Sequence, residues 1–193
     1  KFSRALDQYS FKAKGSGKSG LISTSRPGPE VMRRTAVEFT EKLLIVRFEV
    51  GFPANGRTIN AQELEKILLD FLPQIVKKCL YYQAWDKRLV QEGFELAENQ
   101  QKIREVLEER KLVAFCANGS ILPRKSGVSS QPLKDAVAFE SPKSMELAID
   151  LPFGGSIFGM GIPEGVTLII GGGYHGKSTL LQALEQGVYN HVK

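Results

Sequence analysis

The stretch VTLIIGGGYHGKSTLLQALEQ, Val166 to Gln186, decides the fold of this chain of 193 residues. An apolar run, Val166 to Ile170, leads into Gly171-Gly172-Gly173-Tyr174-His175-Gly176-Lys177-Ser178, which has the spacing G-x-x-x-x-G-K-S/T. Leu180, Leu181 and Leu184 then recur on one helical face. A phosphate-binding loop of the Walker A type needs this order of buried strand, glycine-rich turn and helix, because backbone amides must converge on the phosphates at a helix N-terminus. The pattern predicts a strand over 166–170 and a helix over 178–185. It makes Gly171, Gly172, Gly173, Tyr174, His175, Gly176, Lys177, Ser178 and Thr179 the candidate binding residues for ATP with Mg2+. Lys177 is the catalytic candidate, a point charge on the terminal phosphates; Ser178 is the magnesium ligand, and Thr179 can reach the α-phosphate. His175 is expected to face solvent or to pack beside the loop.

A second stretch, GSGKSG at Gly15 to Gly20, imitates this cradle and fails the same test. Five positions before Gly17 stands Lys12 instead of glycine, no apolar strand leads in, and LISTSRPGP cannot form the helix that should follow. It reads as a surface loop, with contact to an anion through Lys18 as the alternative.

The net charge of +5 is unevenly placed. Lys1 to Arg34 holds eight cations (Lys1, Arg4, Lys12, Lys14, Lys18, Arg26, Arg33, Arg34) against Asp7 and Glu30, so all of the excess lies at the front. Phe2, Tyr9 and Phe11 are interleaved with these cations. Basic groups beside exposed aromatics suit single-stranded RNA, which needs phosphate neutralisation and base stacking; a solvated basic face with its aromatics in the core is the competing reading. Arg124 and Lys125 could reach an anion too, or lie in an exposed loop. Cys79 and Cys116 have no CxxC spacing and read as two buried thiols in a reducing compartment. No apolar run approaches the roughly 20 residues that span a bilayer, so no membrane partner is expected. The chain begins at Lys1, and no signal peptide is visible.

The order of elements is α/β. Alternating segments over 36–40 and 43–50 predict a β-hairpin, with Leu44, Val46, Phe48 and Val50 on one face. GFPANG, Gly51 to Gly56, is turn chemistry. Asn60 and Glu63 form an N-x-x-E start resembling a capping box, and Leu64, Ile67, Leu68, Phe71, Leu72, Ile75, Val76, Cys79 and Leu80 follow at helical spacing, with Pro73 expected to kink the helix. A second helix is predicted over 96–111, with Ile103, Val106 and Leu107 inward, then a buried strand over 112–116, a loop over 117–142 and an alternating strand over 145–151. A mixed α+β domain over 1–140 would thus precede a second domain over 141–193 that carries the first strand, P-loop and helix of a P-loop nucleoside-triphosphatase fold. Phe153 or Phe158, upstream of the loop, either contacts the base or packs in the core.

Taken together, GSGKSGLI, RTAVEF, VGFPANGRTI, GSILPRKSG and GMGIPEGVTLIIGGGYHGKSTLLQALEQGVYNH resemble the family described as predicted ATPases of the ABC class. That resemblance implies an N-terminal α/β domain joined to an ABC-type P-loop domain, ATP bound at 171–179, ATP hydrolysis in the complete protein, and a homodimer, since ABC-type sites are shared between copies. It also implies an intracellular, cytoplasmic protein, or one of the mitochondrial matrix where some relatives are linked to RNA processing. The sequence ends at Lys193 before a Walker B aspartate, signature loop or switch histidine, so this stretch is expected to bind nucleotide without hydrolysing it. A nucleic-acid-binding module with a vestigial nucleotide clamp is the alternative.

Overall fold

A computed structural model describes residues 1–192, which form two compact units: Lys1–Pro27 with Arg33–Val90, and Gly28–Met32 with the chain from Gln91 onward. Each mixes helices with small antiparallel sheets, as an α/β chain should.

In the first unit, α1 (Phe2–Tyr9) buries Ala5, Leu6 and Tyr9 against Ile22, Ile67, Ile75 and Cys79. These apolar side chains sit at helical spacing, and their removal from water drives the packing. β1 is Ile22–Ser23. β2 (Glu30–Val31) belongs to the second unit. The predicted hairpin forms between β3 (Val37–Phe39) and β4 (Leu44–Val46), with Val37 opposite Val46 and Phe39 opposite Leu44. The expected continuation to Val50 does not hold. The run breaks at Arg47, whose amide donates to Ala36 O at 2.9 Å and whose guanidinium reaches Thr35 O at 2.6 Å and the Glu38 carboxylate at 3.0 Å. Beyond that break, β5 (Glu49–Val50) pairs with β1 in a different sheet, and Leu44 and Phe48 remain exposed, so the single apolar face is not realised. GFPANG turns into a short hairpin of β6 (Ala54–Asn55) and β7 (Thr58–Ile59).

Asn60 caps α2 (Ala61–Glu65) as expected, its Oδ1 accepting from Glu63 N at 3.3 Å. The reciprocal arm of the capping box is absent. Asn60 N donates to Pro53 O, while the Glu63 carboxylate takes the Lys66 ammonium and the backbone amide of Lys14 at 2.9 Å. Those two donors, Lys66 first, hold the Glu63 carboxyl below its usual range. Pro73 produces a π-helical turn over Lys66–Phe71 rather than a simple kink: Leu72 N donates to Ile67 O, five residues back, before α3 (Leu72–Cys79) resumes the α pattern. Proline has no amide to give, and a one-residue bulge accommodates its ring. The bulge also rotates the apolar face, so Ile67 and Ile75 are buried while Leu68 and Val76, expected inward, lie in solvent.

The helix expected from residue 96 starts earlier. α4 runs from Lys87 to Glu109, and the Asp86 carboxylate receives the amide of Arg88 at 2.9 Å. The first unit ends in its opening turn, at Val90. In the second unit, β8 (Leu112–Ala117), β9 (Glu146–Asp150) and β10 (Ser156–Pro163) form an antiparallel sheet in the order β8-β10-β9. Pairing of β8 with β10 carries residues 112–117 into this unit, so its division from the first lies near residue 90 where the sequence suggested 140. Cys116, Met160 and Ile162 make its core, against which Leu180 and Leu184 of α5 (Lys177–Gln186) pack; Leu181, expected beside them, is exposed. Burial pushes the Cys116 thiol up to about 11, and burial likewise raises the Cys79 thiol.

The loop over 117–142 is held at both ends by Glu146. Its Oε2 accepts from Asn118 Nδ2 and from Ser141 Oγ, both at 2.9 Å, and Lys143 Nζ lies 3.2 Å from Oε1. Ser141, then Asn118 and Lys143, hold this carboxyl below its usual range. At the far end, β11 (Asn190–His191) pairs antiparallel with β2, Asn190 opposite Val31 and His191 opposite Glu30.

Candidate functional site

The glycine-rich loop leads into α5 where the spacing requires a helix. Gly176 takes the left-handed conformation (φ 76°) just before the first helical residue, Lys177, and Tyr174 is left-handed too (φ 61°). No side chain caps α5, so its first amides are not engaged by a capping group. Helix N-termini of this kind carry a partial positive charge and donors aimed outward. Lys177 folds back across the loop: its Nζ donates to Gly171 O at 2.7 Å and also to Gly172 O. The ammonium, the uncapped amides and the glycines thus meet at one exposed turn. An added Cβ at Gly171 would make ordinary contact with the Lys177 stem and His175, 3.7 Å away. Ser178 is exposed at the first turn and Thr179 is half-buried behind it. His175 lies with its ring against Gly172, where an added Cβ would approach to 3.2 Å, and Tyr174 is fully exposed.

The segment before the loop departs from expectation. Residues 166–170 form no strand, and Val166, Leu168 and Ile170 are 103%, 82% and 79% exposed. A strand apolar on both faces becomes stable only between neighbouring strands that accept its ladder and cover it. No described strand lies beside this one.

The lookalike loop Gly15–Gly20 is occupied by packing. Ser16 N donates to Ala54 O at 2.8 Å and Gly20 N to Gly51 O at 2.8 Å, while the buried Ser19 hydroxyl donates to Ser16 O at 2.6 Å and accepts from Ala54 N at 3.1 Å. Its glycines serve close approach to the GFPANG turn: a Cβ on Gly51 would stand 2.0 Å from Lys18 O. Lys18 itself points into solvent.

Of the front aromatics, Tyr9 is in the core, its ring 5.3 Å from that of Phe71 and its hydroxyl donating to Gln74 Oε1 at 2.9 Å; it is not free to stack on a base. Phe2 packs edge-on against Phe48 at 6.2 Å, and Phe11 is exposed. Arg124 turns its guanidinium to Ile121 O at 3.1 Å, and it and Lys125 are both exposed. Phe153 meets Phe94 edge-on at 5.9 Å beside a cavity of about 550 Å3 whose lining includes no residue of the glycine-rich loop, and Phe158 is exposed on β10.

Sequence reasoning passed over three residues of α4. The Asn99 amide exchanges two hydrogen bonds with the backbone of Phe153, at 2.9 and 3.0 Å, and the Gln100 amide does the same with His191, at 3.0 and 2.7 Å. Arg104 Nε donates to Asn190 Oδ1 at 2.6 Å. Polar residues on a charged helical face give no periodic signal, so nothing in the sequence marks them. Among the described residues no group of three His, Cys, Asp or Glu could hold a metal, and no helix is long and apolar enough to cross a membrane.

Two family models match the chain. One, for the P-loop domain of the ABC ATPases, covers residues 86–193; the other, described as the N-terminal part of ATPases of the ABC class, covers residues 1–83. The chain is also 34% identical over 102 residues to an uncharacterised protein of Methanocaldococcus jannaschii. The match takes in 49% of this chain and 23% of that relative.

Proposed function

Because the chain belongs to the ABC-class ATPases, we propose that residues 171–179 bind ATP with Mg2+ and that the complete protein hydrolyses it. The observation that carries this reading is the uncapped N-terminus of α5 closed over by Lys177. Phosphate oxygens would replace the Gly171 and Gly172 carbonyls as partners of the ammonium, and the amides of Gly176 to Thr179 would take the remaining charge. The donor set fits magnesium. An exposed hydroxyl at Ser178 offers one hard oxygen ligand, and Mg2+ commonly takes one or two protein ligands with phosphates and waters completing the octahedron. Bound there, the ion would supply neutralisation of the phosphate charge. In this reading Gly171, Gly172 and Gly173 would leave the phosphate's path clear of side chains, and Thr179 would reach the α-phosphate. A homodimer that shares its sites, in an intracellular compartment where ATP is held, completes this proposal.

A second reading places single-stranded RNA on the basic front. Its support is that Arg4, Lys12, Lys14 and Lys18 all lie exposed in the segment Lys1 to Arg34. Calorimetric titration with Mg-ATP tests the first reading: saturable binding is expected, and no heat above that of a Lys177→Ala variant would overturn it.

A further inference from the structure

Beside the front segment, at the end of α3, the chain reads Lys77-Lys78-Cys79-Leu80-Tyr81-Tyr82-Gln83-Ala84-Trp85, and the fold brings the two stretches together. Lys12 Nζ lies 4.7 Å from the centre of the Tyr9 ring and Lys78 Nζ lies 5.1 Å from the same centre, also donating to the Tyr9 hydroxyl at 2.7 Å. Two ammonium groups thus lie near one ring, and neither is in an ion pair among the described residues. The carboxylates adjoining these stretches in sequence are engaged elsewhere, Asp7 by Arg26 at 2.7 Å and Asp86 by the Arg88 amide.

Directly after Lys77 and Lys78, Tyr81 and Tyr82 are 55% and 61% exposed, and their side chains enter no hydrogen bond or ring pair among the described residues. Trp85 anchors the turn that presents them by donating from Nε1 to Cys79 O at 2.9 Å. Large exposed rings beside cations without acidic partners have one polymer as their natural complement. Its phosphates take the ammonium groups, and its unpaired bases stack on the rings.

We infer that Lys12 and Lys78, with the exposed Lys77, Tyr81 and Tyr82 that adjoin Lys78 in the chain, hold a single-stranded polynucleotide. This rests on the reading of RNA as a partner, and moves the contact from the whole front segment to the seam between Lys12 and the end of α3. Tyr9, buried beneath, positions the two lysines and touches no base.

The test is fluorescence anisotropy of the intact chain with labelled oligouridylate across a salt series, with an oligothymidylate arm to separate RNA from DNA. A combined Lys12→Gln, Lys77→Gln, Lys78→Gln variant should lower the salt slope by roughly 2, at about 0.7 per phosphate contact on a single strand. Tyr81→Leu and Tyr82→Leu should each weaken binding by about 5- to 150-fold while leaving the slope intact. All these side chains are exposed; thermal melting should confirm unchanged folds. Binding that survives every one of these changes but is lost in Arg33→Gln with Arg34→Gln would overturn this inference and leave the front-segment reading standing. No binding by the intact chain at low salt would remove the RNA reading, and this inference with it. Binding of oligothymidylate without oligouridylate would overturn the RNA reading on which this rests; loss of slope without loss on the tyrosine changes would leave a phosphate site alone and refute the stacking role.

Discussion

Lys177→Ala and Lys18→Ala distinguish the cradle from its imitation. Lys177 is half-buried and already spans the loop through Gly171 O and Gly172 O, so a phosphate bound at this turn would meet a held ammonium. A hydrogen bond to a charged group contributes about 1.5–3 kcal/mol, which predicts a loss of roughly 10- to 150-fold in Mg-ATP affinity when Lys177 is removed. Lys18 is exposed above a loop whose amides at Ser16, Ser19 and Gly20 are already bonded to carbonyls. Its removal should cost at most about fivefold, the ceiling for an exposed pair worth up to roughly 1 kcal/mol. The Gly171 and Gly172 carbonyls freed in Lys177→Ala face water, so the melting temperature should hardly move, within about 0.5 kcal/mol of stability. Calorimetric titration of both variants beside thermal melts gives the answer. Equal affinity losses, or the larger loss at Lys18, would refute the assignment.

Gly51→Ala should destabilise the first unit by about 1–3 kcal/mol, because the new Cβ would stand 2.0 Å from a backbone oxygen of Lys18 and neither backbone can yield cheaply; chemical denaturation measures it. The Glu146 carboxyl is held below its usual range, so its contribution is fully present above the unfolded-state value and disappears as pH falls through the lower folded-state value. Glu146→Gln should therefore flatten the acid limb of the stability profile, read by melting temperature against pH, and an unchanged limb would count against the staple. Phe153→Leu should lower melting temperature through loss of the Phe94 contact while Mg-ATP affinity stays within about twofold; a large affinity loss would return Phe153 to the base.

What the sequence made legible was local chemistry. Asn60 as a cap, the 37–46 hairpin, the helix after Lys177 and the inward Leu180 and Leu184 all follow from spacing and from side chains acting on their own backbone. The failures share a different cause. Leu44 to Val50 alternates as one strand should, yet Arg47 ties its first half to one partner while Glu49 and Val50 find another. Alternation specifies a face and never the neighbour. Val166 to Ile170 has the composition of a buried strand, but composition supplies no partner for its ladder. Ile67 and Leu68 were equally apolar in the pattern, and the π turn before Pro73 sets which of them is buried and which is exposed. At the cradle, the glycine spacing reported the loop while the fold-back of Lys177 was invisible until its acceptors could be seen.

The pairing of Glu30–Val31 with Asn190–His191 bears on how this protein can be cut and how it assembles. A boundary drawn along the sequence near residue 85 severs the second unit from one of its own strands. A fragment begun there would leave Asn190 and His191 with an open edge, despite containing every residue that the P-loop pattern requires. During synthesis the order is inverted: the early strand must wait, unpaired, while nearly the whole intervening chain is made. Closing so long a loop is entropically costly, though the cost grows only slowly with length, so this pairing adds a long-range contact to the folding of the second unit.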